Sequence, residues 1–479
     1  MDKPHPAASK AAASAIVEKR DGFGTRWGFI LACIGSAVGM GNIWRFPILV
    51  QKYGGITFIL PYLLFVVLIG STGIIEEFAL GRRAEAGPVG AFGFATHDRN
   101  GNRSLGEWLG AIPIVGALML AIGYTVVMSW VFKYCWMGIN GDLYALGTEM
   151  SAVVGAFGSI APESASLGEA LQTMLNGQIF GVGNGVWLLT GLAVSLVIMS
   201  LGVSGGIEKA NKIMMPLLFV LFVGLAIYIF TLPGANEGYK FIFTLNPQGL
   251  MDPKVWIFAF GQAFFSLSVA GNGSVIYGSY LSKDESIPTS AFNVAVFDTI
   301  AAHLAALVII PAMAVMLGSE INNVNGGPGL MFVYLVSVFN GMPGGRIVGM
   351  IFFICVLFAG VTSQINLYEA PVAFLQEKFK FKRRAAVATI GVIGAVVALM
   401  IQPWTSQWMD MVSIYLCPLG AFLAGVMFFW VMKKTTAMQA VNQGAKKPIG
   451  NWFYPLGKYF YCAAALIALI AGAILGGIG

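Results

Sequence analysis

The sequence predicts an all-α polytopic membrane protein of eleven transmembrane helices, two of them broken at membrane depth. Composition is the first reason: 57% of the 479 residues are hydrophobic and 10% charged, with a mean hydropathy of +0.78, where a soluble domain carries about 25% charged residues. Segment length is the second. About 20 apolar residues cross the hydrocarbon of a bilayer, and such stretches recur at 26–49, 56–80, 109–138, 184–203, 208–231, 255–281, 289–317, 347–376, 385–401, 405–432 and 453–476, the fourth being the weakest. The third reason is that two spans are interrupted by Gly, Ser and Asn, at 34–47 (IGSAVGMGNIWRFP) and 262–274 (QAFFSLSVAGNGS).

Residues 1–25 are polar, Ala-rich and charged with no apolar run, so they read as a cytoplasmic amino-terminal segment and not as a cleavable signal peptide. Within span 1 the apolar flanks, Trp27 to Cys33 and Ile48 to Val50, are too short to cross alone. A helix this rich in glycine breaks near its middle, and irregular backbone at that depth is tolerated only where protein buries it or it lines a cavity. Such a break is the mark of a transporter binding site; a Gly-rich packing face for a neighbouring helix is the alternative. Span 5 begins with Gly206 and Pro216, ten residues apart, where a proline kink is one reading. Span 6 repeats the interruption with Ser266, Ser268, Gly271, Asn272, Gly273 and Ser274. Spans 1 and 6 are five apart, and a duplication of five helices places its two copies in opposite orientations across the bilayer. Span 7 contains Asp298 and His303, and an intramembrane carboxylate is functional by default; an Asp capping a local break is the plainer reading. Span 8 holds the adjacent hydroxyls Thr362 and Ser363, which in a membrane helix commonly bond their own backbone.

Lysine and arginine set the orientation. Lys3, Lys10, Lys19, Arg20 and Arg26 lie at the amino terminus, Arg82, Arg83, Arg99 and Arg103 after span 2, and Lys378, Lys380, Lys382, Arg383 and Arg384 after span 8. Lys433, Lys434, Lys446 and Lys447 follow span 10, whereas 139–183 and 318–345 have no Lys or Arg. Basic loops stay in the cytoplasm, so the amino terminus is inside and the carboxyl terminus outside. The net charge of +6 is a topology signal and makes no case for nucleic acid. The five cysteines lie in or beside apolar spans without paired spacing and read as small core residues. Glu76 and Glu77 are adjacent, hence on different helix faces, and no His accompanies them; nothing here composes an enzyme. A channel is disfavoured because the polar residues cluster at two breaks and do not run through a pore.

The motifs GSAVGMGNIWRFP, GGITFILPYLL, EEFALGRR, VWIFAFGQAFFSLS and FAGVTSQINLYEAP resemble the bacterial neurotransmitter:sodium symporter family, in order, from about Arg20 to the end of span 10. The resemblance implies a leucine-transporter-type fold. Residues 26–232 form a first five-helix repeat and 233–432 a second, inverted one, and 433–479 add a cytoplasmic loop and an eleventh helix. It implies a symporter of the bacterial inner membrane, surrounded by lipid as a monomer or weak dimer, that imports a neutral amino acid with two Na⁺ by alternating access. An amino-acid sensor on the same scaffold is the alternative.

Carried over motif by motif, the first sodium site uses Ala37, Asn42, Ser266 and Asp298, and the second uses Gly35, Val38, Ala359, Thr362 and Ser363. Animal relatives balance charge at the first site with chloride, and some bacterial members with a carboxylate at the position of Ala302. With Ala302 apolar, Asp298 supplies the charge, so no chloride is expected. Once the ion leaves, an uncompensated carboxylate at membrane depth favours protonation, hence proton antiport. Gly39 stands where amine carriers have Asp, so the substrate brings its own carboxylate, which meets the N–H groups of Met40 and Gly41 and the hydroxyl of Tyr124. The ammonium meets carbonyls of Ala37, Phe265 and Ser266. Leu120, Phe265, Ser268, Gly271, Ser363 and Leu367 line the side-chain pocket, with Asn272 adding an amide. Gly271 replaces an aromatic ring of a leucine-carrying relative and leaves room for a large hydrophobic or aromatic side chain. Arg45 and Asp410, with Gln262 nearby, form the outer gate; Arg20 and Glu377, beside Phe23, form the inner one.

Overall fold

The computed structural model describes residues 22–163, 168–169, 172, 184–269, 272–317 and 328–477, and among these there are helices and no strands. Arg20 and Gly271 lie outside the described residues. Helix α1, Arg26–Ala37, begins where the Thr25 hydroxyl accepts from the Gly28 N–H at 3.0 Å, an N-cap that satisfies one of the free donors of the first turn. α2, Gly41–Lys52, continues it after a 54° bend. The next elements are α3, Ile56–Ala84, α4, Pro88–Asn100, α5, Ser104–Asn140, α6, Met150–Ile160, α7, Gly185–Ser200, and α8, Val203–Phe230. α9, Ala235–Phe243, lies before α10, Pro253–Ser266, which starts on the Asp252 cap with Pro253 in its first turn. α11, Gly273–Ser279, completes the second broken span. α12 is Ile287–Leu317, α13 is Leu330–Gly341, α14 is Gly345–Phe379, α15 is Arg383–Ile401, α16 covers 405–431, α17 is Lys434–Asn442 and α18 is Phe453–Leu475.

Both expected interruptions are present. The first is confined to 38–40, where Val38 turns extended with ψ 101°. The second is shorter than the sequence suggested. Residues 262–266 remain regular helix, and the break begins at Leu267, with Ser268 and Asn272 both left-handed at φ 56° and 50°. Five of these helices fall outside the expected spans (α4, α6, α9, α13 and α17). Each lies in a stretch too short or too polar to cross a bilayer, so hydropathy alone passes over it.

α1 sits between α8, α12 and α14, α10 and α11 pack on α3, and α14 lies along α5. The broken helices are thus the innermost elements. Ile213, Val220 and Ile227 on α8, and Ile467, Ile470 and Ile474 on α18, point outward and are exposed, the surface a lipid-facing helix presents. The second half of α3 is different: every residue from Gly73 to Arg82 is buried, so that segment is enclosed on all sides.

Candidate functional site: the two helix breaks

Breaking α1 from α2 frees backbone groups in the interior, and side chains from other helices take them up. The Gly39 N–H donates to Asn42 Oδ1 at 3.0 Å, and the Met40 N–H donates to the Tyr124 hydroxyl of α5 at 3.2 Å. At the second break the Ser268 hydroxyl donates to the Ser36 carbonyl at 2.8 Å, joining the two interruptions directly. The left-handed backbone at Ser268 aims the hydroxyl there, a conformation costly for a non-glycine residue and held only where its surroundings determine it. Gly39 has a steric reason to be glycine: a Cβ would lie 2.7 Å from Ser363 Oγ and 3.1 Å from the Tyr124 hydroxyl.

Two oxygen clusters flank this backbone. In the first, Asn42 Nδ2 donates to Asp298 Oδ1 at 2.7 Å and to Ser266 Oγ at 3.0 Å, while Ser266 Oγ donates to Asp298 Oδ2 at 2.7 Å. All three side chains are buried. Three elements, α2, α10 and α12, converge on one carboxylate that has no Lys or Arg ion-paired with it among the described residues. A buried charge without a partner is expensive, so the cluster suits a monovalent cation. In the second, Ser363 Oγ donates to the carbonyls of Gly35 at 3.2 Å and Val38 at 3.3 Å, and Thr362 Oγ1 to those of Phe358 at 2.9 Å and Ala359 at 3.1 Å. The Thr362 bonds are the local i−3/i−4 pattern. Ser363 instead crosses to α1. Asp298 and Ser363 thus anchor opposite sides of the Gly39 break.

The described residues named for substrate differ in exposure. Ala37, Met40, Tyr124 and Ser363 are buried, while Gly41, Leu120, Phe265, Ser268 and Leu367 keep partial exposure. Asn272 sends its amide elsewhere: Nδ2 donates to Glu77 Oε1 of α3 at 3.0 Å, and its Oδ1 lies toward Gly420 of α16. Its donor is therefore engaged with α3.

The two gate regions differ. Arg45 is half-buried and Asp410 exposed; they are within coulombic reach, but no ion pair joins them. Gln262 Nε2 donates to the Gly41 carbonyl at 3.0 Å. On the other side Glu377 accepts from the Gly87 N–H at 3.0 Å, and Phe23 packs edge-on against Phe29 and Tyr277 with centroids 5.4 and 5.6 Å apart. There too, Glu208 accepts from the Gly24 N–H at 2.6 Å and from Thr25 Oγ1 at 2.7 Å. The fully buried Glu369 takes both Arg383 Nη1 at 2.6 Å and the Tyr280 hydroxyl at 2.7 Å. Ionic and aromatic contacts join the described residues on this side.

Sequence reasoning missed Glu208, Glu369 and Arg383, which read as ordinary charges near span ends. It also missed the burial of Glu76 and Glu77. Their spacing correctly puts them on different faces, but α3 is enclosed on every face there.

Comparison with known proteins is consistent with this geometry. Residues 20–146 and 169–475 match the family model described as Sodium:neurotransmitter symporter family. An uncharacterized sodium-dependent transporter of Bacillus subtilis, YhdH, is 30% identical over 90% of this chain and 92% of its own length. Another from Methanocaldococcus jannaschii is 28% identical over 95% of this chain and 89% of its own. The crystal structure of MhsT in complex with L-phenylalanine superposes with a TM-score of 0.78 at 32% identity, covering 94% of this chain and 99% of that one. The chain belongs to the sodium:neurotransmitter symporter family.

Proposed function

We propose that the protein is a sodium-coupled symporter that imports a neutral, large hydrophobic or aromatic amino acid by alternating access, needs no chloride, and returns a proton outward. One observation carries this reading: two buried oxygen clusters, one built on Asp298 and one on Ser363, lie on either side of the glycine break in the first span. Neutral oxygens with a single carboxylate suit Na⁺, and the N–H groups of Met40 and Gly41 at the start of α2 suit a carboxylate. The phenylalanine in the similar MhsT structure supports an aromatic substrate. The asymmetry of the two gate regions supports a carrier that alternates between openings.

Eleven crossings are reached by reading Arg383–Val431, 49 residues long, as two spans, Gly185–Ser200 as a short one, and α10 with α11 as one broken span. The basic loops favour a cytoplasmic amino terminus in a bacterial inner membrane. The test is equilibrium binding of radiolabelled L-phenylalanine to purified protein in sodium chloride, sodium gluconate and choline chloride. Competition by Trp, Tyr and Leu in both sodium salts and none in choline is expected. Binding that survives in choline would refute sodium coupling, and binding lost in gluconate would refute chloride independence.

A further inference from the structure

A buried amide on α8 faces the second oxygen cluster and is used by nothing described above. Asn211 is fully buried. Its Nδ2 donates to the Ile207 carbonyl one turn earlier on its own helix, at 2.9 Å. That bond fixes the plane of the amide and turns Oδ1 away from α8. Oδ1 itself has no hydrogen-bond partner among the described residues. It occupies the place where a side chain at position 35 would be: a Cβ built on Gly35 would strike Asn211 Oδ1, and would meet Thr362 Cβ and Oγ1 at 2.9 and 3.2 Å. Glycine at 35 is therefore what admits an oxygen from a third helix to the space between α1 and α14. An unpartnered buried carbonyl oxygen carries an uncompensated desolvation cost, which falls away when a cation takes it as a ligand.

We infer that Asn211 Oδ1 is a further ligand of the second sodium site, added to the carbonyls of Gly35, Val38 and Ala359 and the hydroxyls of Thr362 and Ser363. The inference rests on the reading of that cluster as a sodium site. An amide is suited to the task. It supplies a strong neutral oxygen, adds no charge to a site that has no carboxylate, and is held by its own N–H. Its consequence is mechanical. The bound ion ties α8 to α1 at a point between Gly206 and Pro216, so release of the ion frees the start of α8 from α1. Gly206 itself packs directly on the Ile198 carbonyl of α7 and leaves no room for a Cβ, so movement of α8 there is registered by α7 as well.

The test uses the full chain, purified and in proteoliposomes, with Asn211→Ala, Asn211→Leu and Asn211→Asp beside the wild type and the Thr362→Ala/Ser363→Ala double variant. Sodium half-saturation of amino-acid binding is read together with the rise in melting temperature that Na⁺ alone produces. Loss of one charge-dipole contact predicts about a tenfold higher half-saturation and a smaller sodium-induced rise for Asn211→Ala and Asn211→Leu. Amino-acid affinity at saturating Na⁺ stays unchanged, and Asn211→Asp, which keeps an oxygen, restores sodium affinity. The melting temperature without Na⁺ reports whether each variant is folded. Wild-type sodium dependence in folded Asn211→Ala and Asn211→Leu, with the double variant impaired, would overturn the ligand assignment alone. An unimpaired double variant would overturn the sodium site itself.

Discussion

Replacing Tyr124 by Phe removes one oxygen from the break and almost nothing else. The ring is buried on α5, so the volume and packing persist. In the structure the hydroxyl accepts from the Met40 N–H at 3.2 Å, and both groups are proposed to turn to the substrate carboxylate. A hydrogen bond to a charged acceptor is worth roughly 1.5–3 kcal/mol, and a neutral one about 1 kcal/mol. The variant loses the first, but its Met40 N–H no longer gives up a neutral partner when substrate binds, so about 1 kcal/mol is recovered. The net loss is on the order of 0.5–2 kcal/mol, centred near a tenfold weaker Kd. Equilibrium binding of L-phenylalanine at saturating Na⁺ measures it. Unchanged affinity would refute the placement of the carboxylate.

Four further outcomes are expected. Thr362→Ala with Ser363→Ala removes both hydroxyls of the second cluster and abolishes sodium-dependent binding in a protein that remains folded in detergent; retained sodium affinity would detach the site from these residues. Gly39→Ala places a Cβ 2.7 Å from Ser363 Oγ, so substrate and sodium affinity fall together; a variant that binds normally would show that the break can shift to admit a methyl. Asp298→Asn removes the proton acceptor. Two Na⁺ entering against one proton leaving carry one net charge per cycle, so the variant, turning over more slowly, carries two, and the charge-to-flux ratio doubles as internal alkalinisation disappears from a pH dye. A proton signal that survives in Asp298→Asn would assign protonation to another group. Gly271→Phe refills the side-chain pocket and excludes Trp and Tyr while sparing small aliphatic amino acids, and equal loss for all would point to backbone damage.

The breaks were legible because they are written in local composition: glycine at 35, 39 and 41 cannot hold a straight apolar helix, and Gly and Ser mark the second break. Asp298 stood out because a carboxylate in an apolar span has few plain explanations, and the structure bonds it to Asn42 and Ser266. Asn272 shows the limit. It sits beside the pocket in sequence, yet its left-handed backbone turns the amide to Glu77, and a dihedral is not visible in residue order. Asn211 was passed over for a related reason. In EKANK it reads as one polar residue in a basic helix start, and only the approach of Gly35 from a helix some 170 positions earlier gives its free oxygen a purpose. The contact between Glu369 and Arg383 was equally hidden, since the two are separated in sequence and joined by tertiary packing.

Sodium coupling is tested most directly by uptake of L-phenylalanine into proteoliposomes at a fixed inside-negative potential, with an inward Na⁺ gradient, with equal Na⁺ on both sides, and with choline. Each charge moved gains about 2.3 kcal/mol per 100 mV, so one net charge sustains roughly 50-fold accumulation at that potential even with equal Na⁺. Accumulation with equal Na⁺, a higher plateau with the inward gradient, and none in choline are expected. Accumulation in choline equal to that in sodium, or uptake that never exceeds equilibration under the gradient, would contradict sodium coupling.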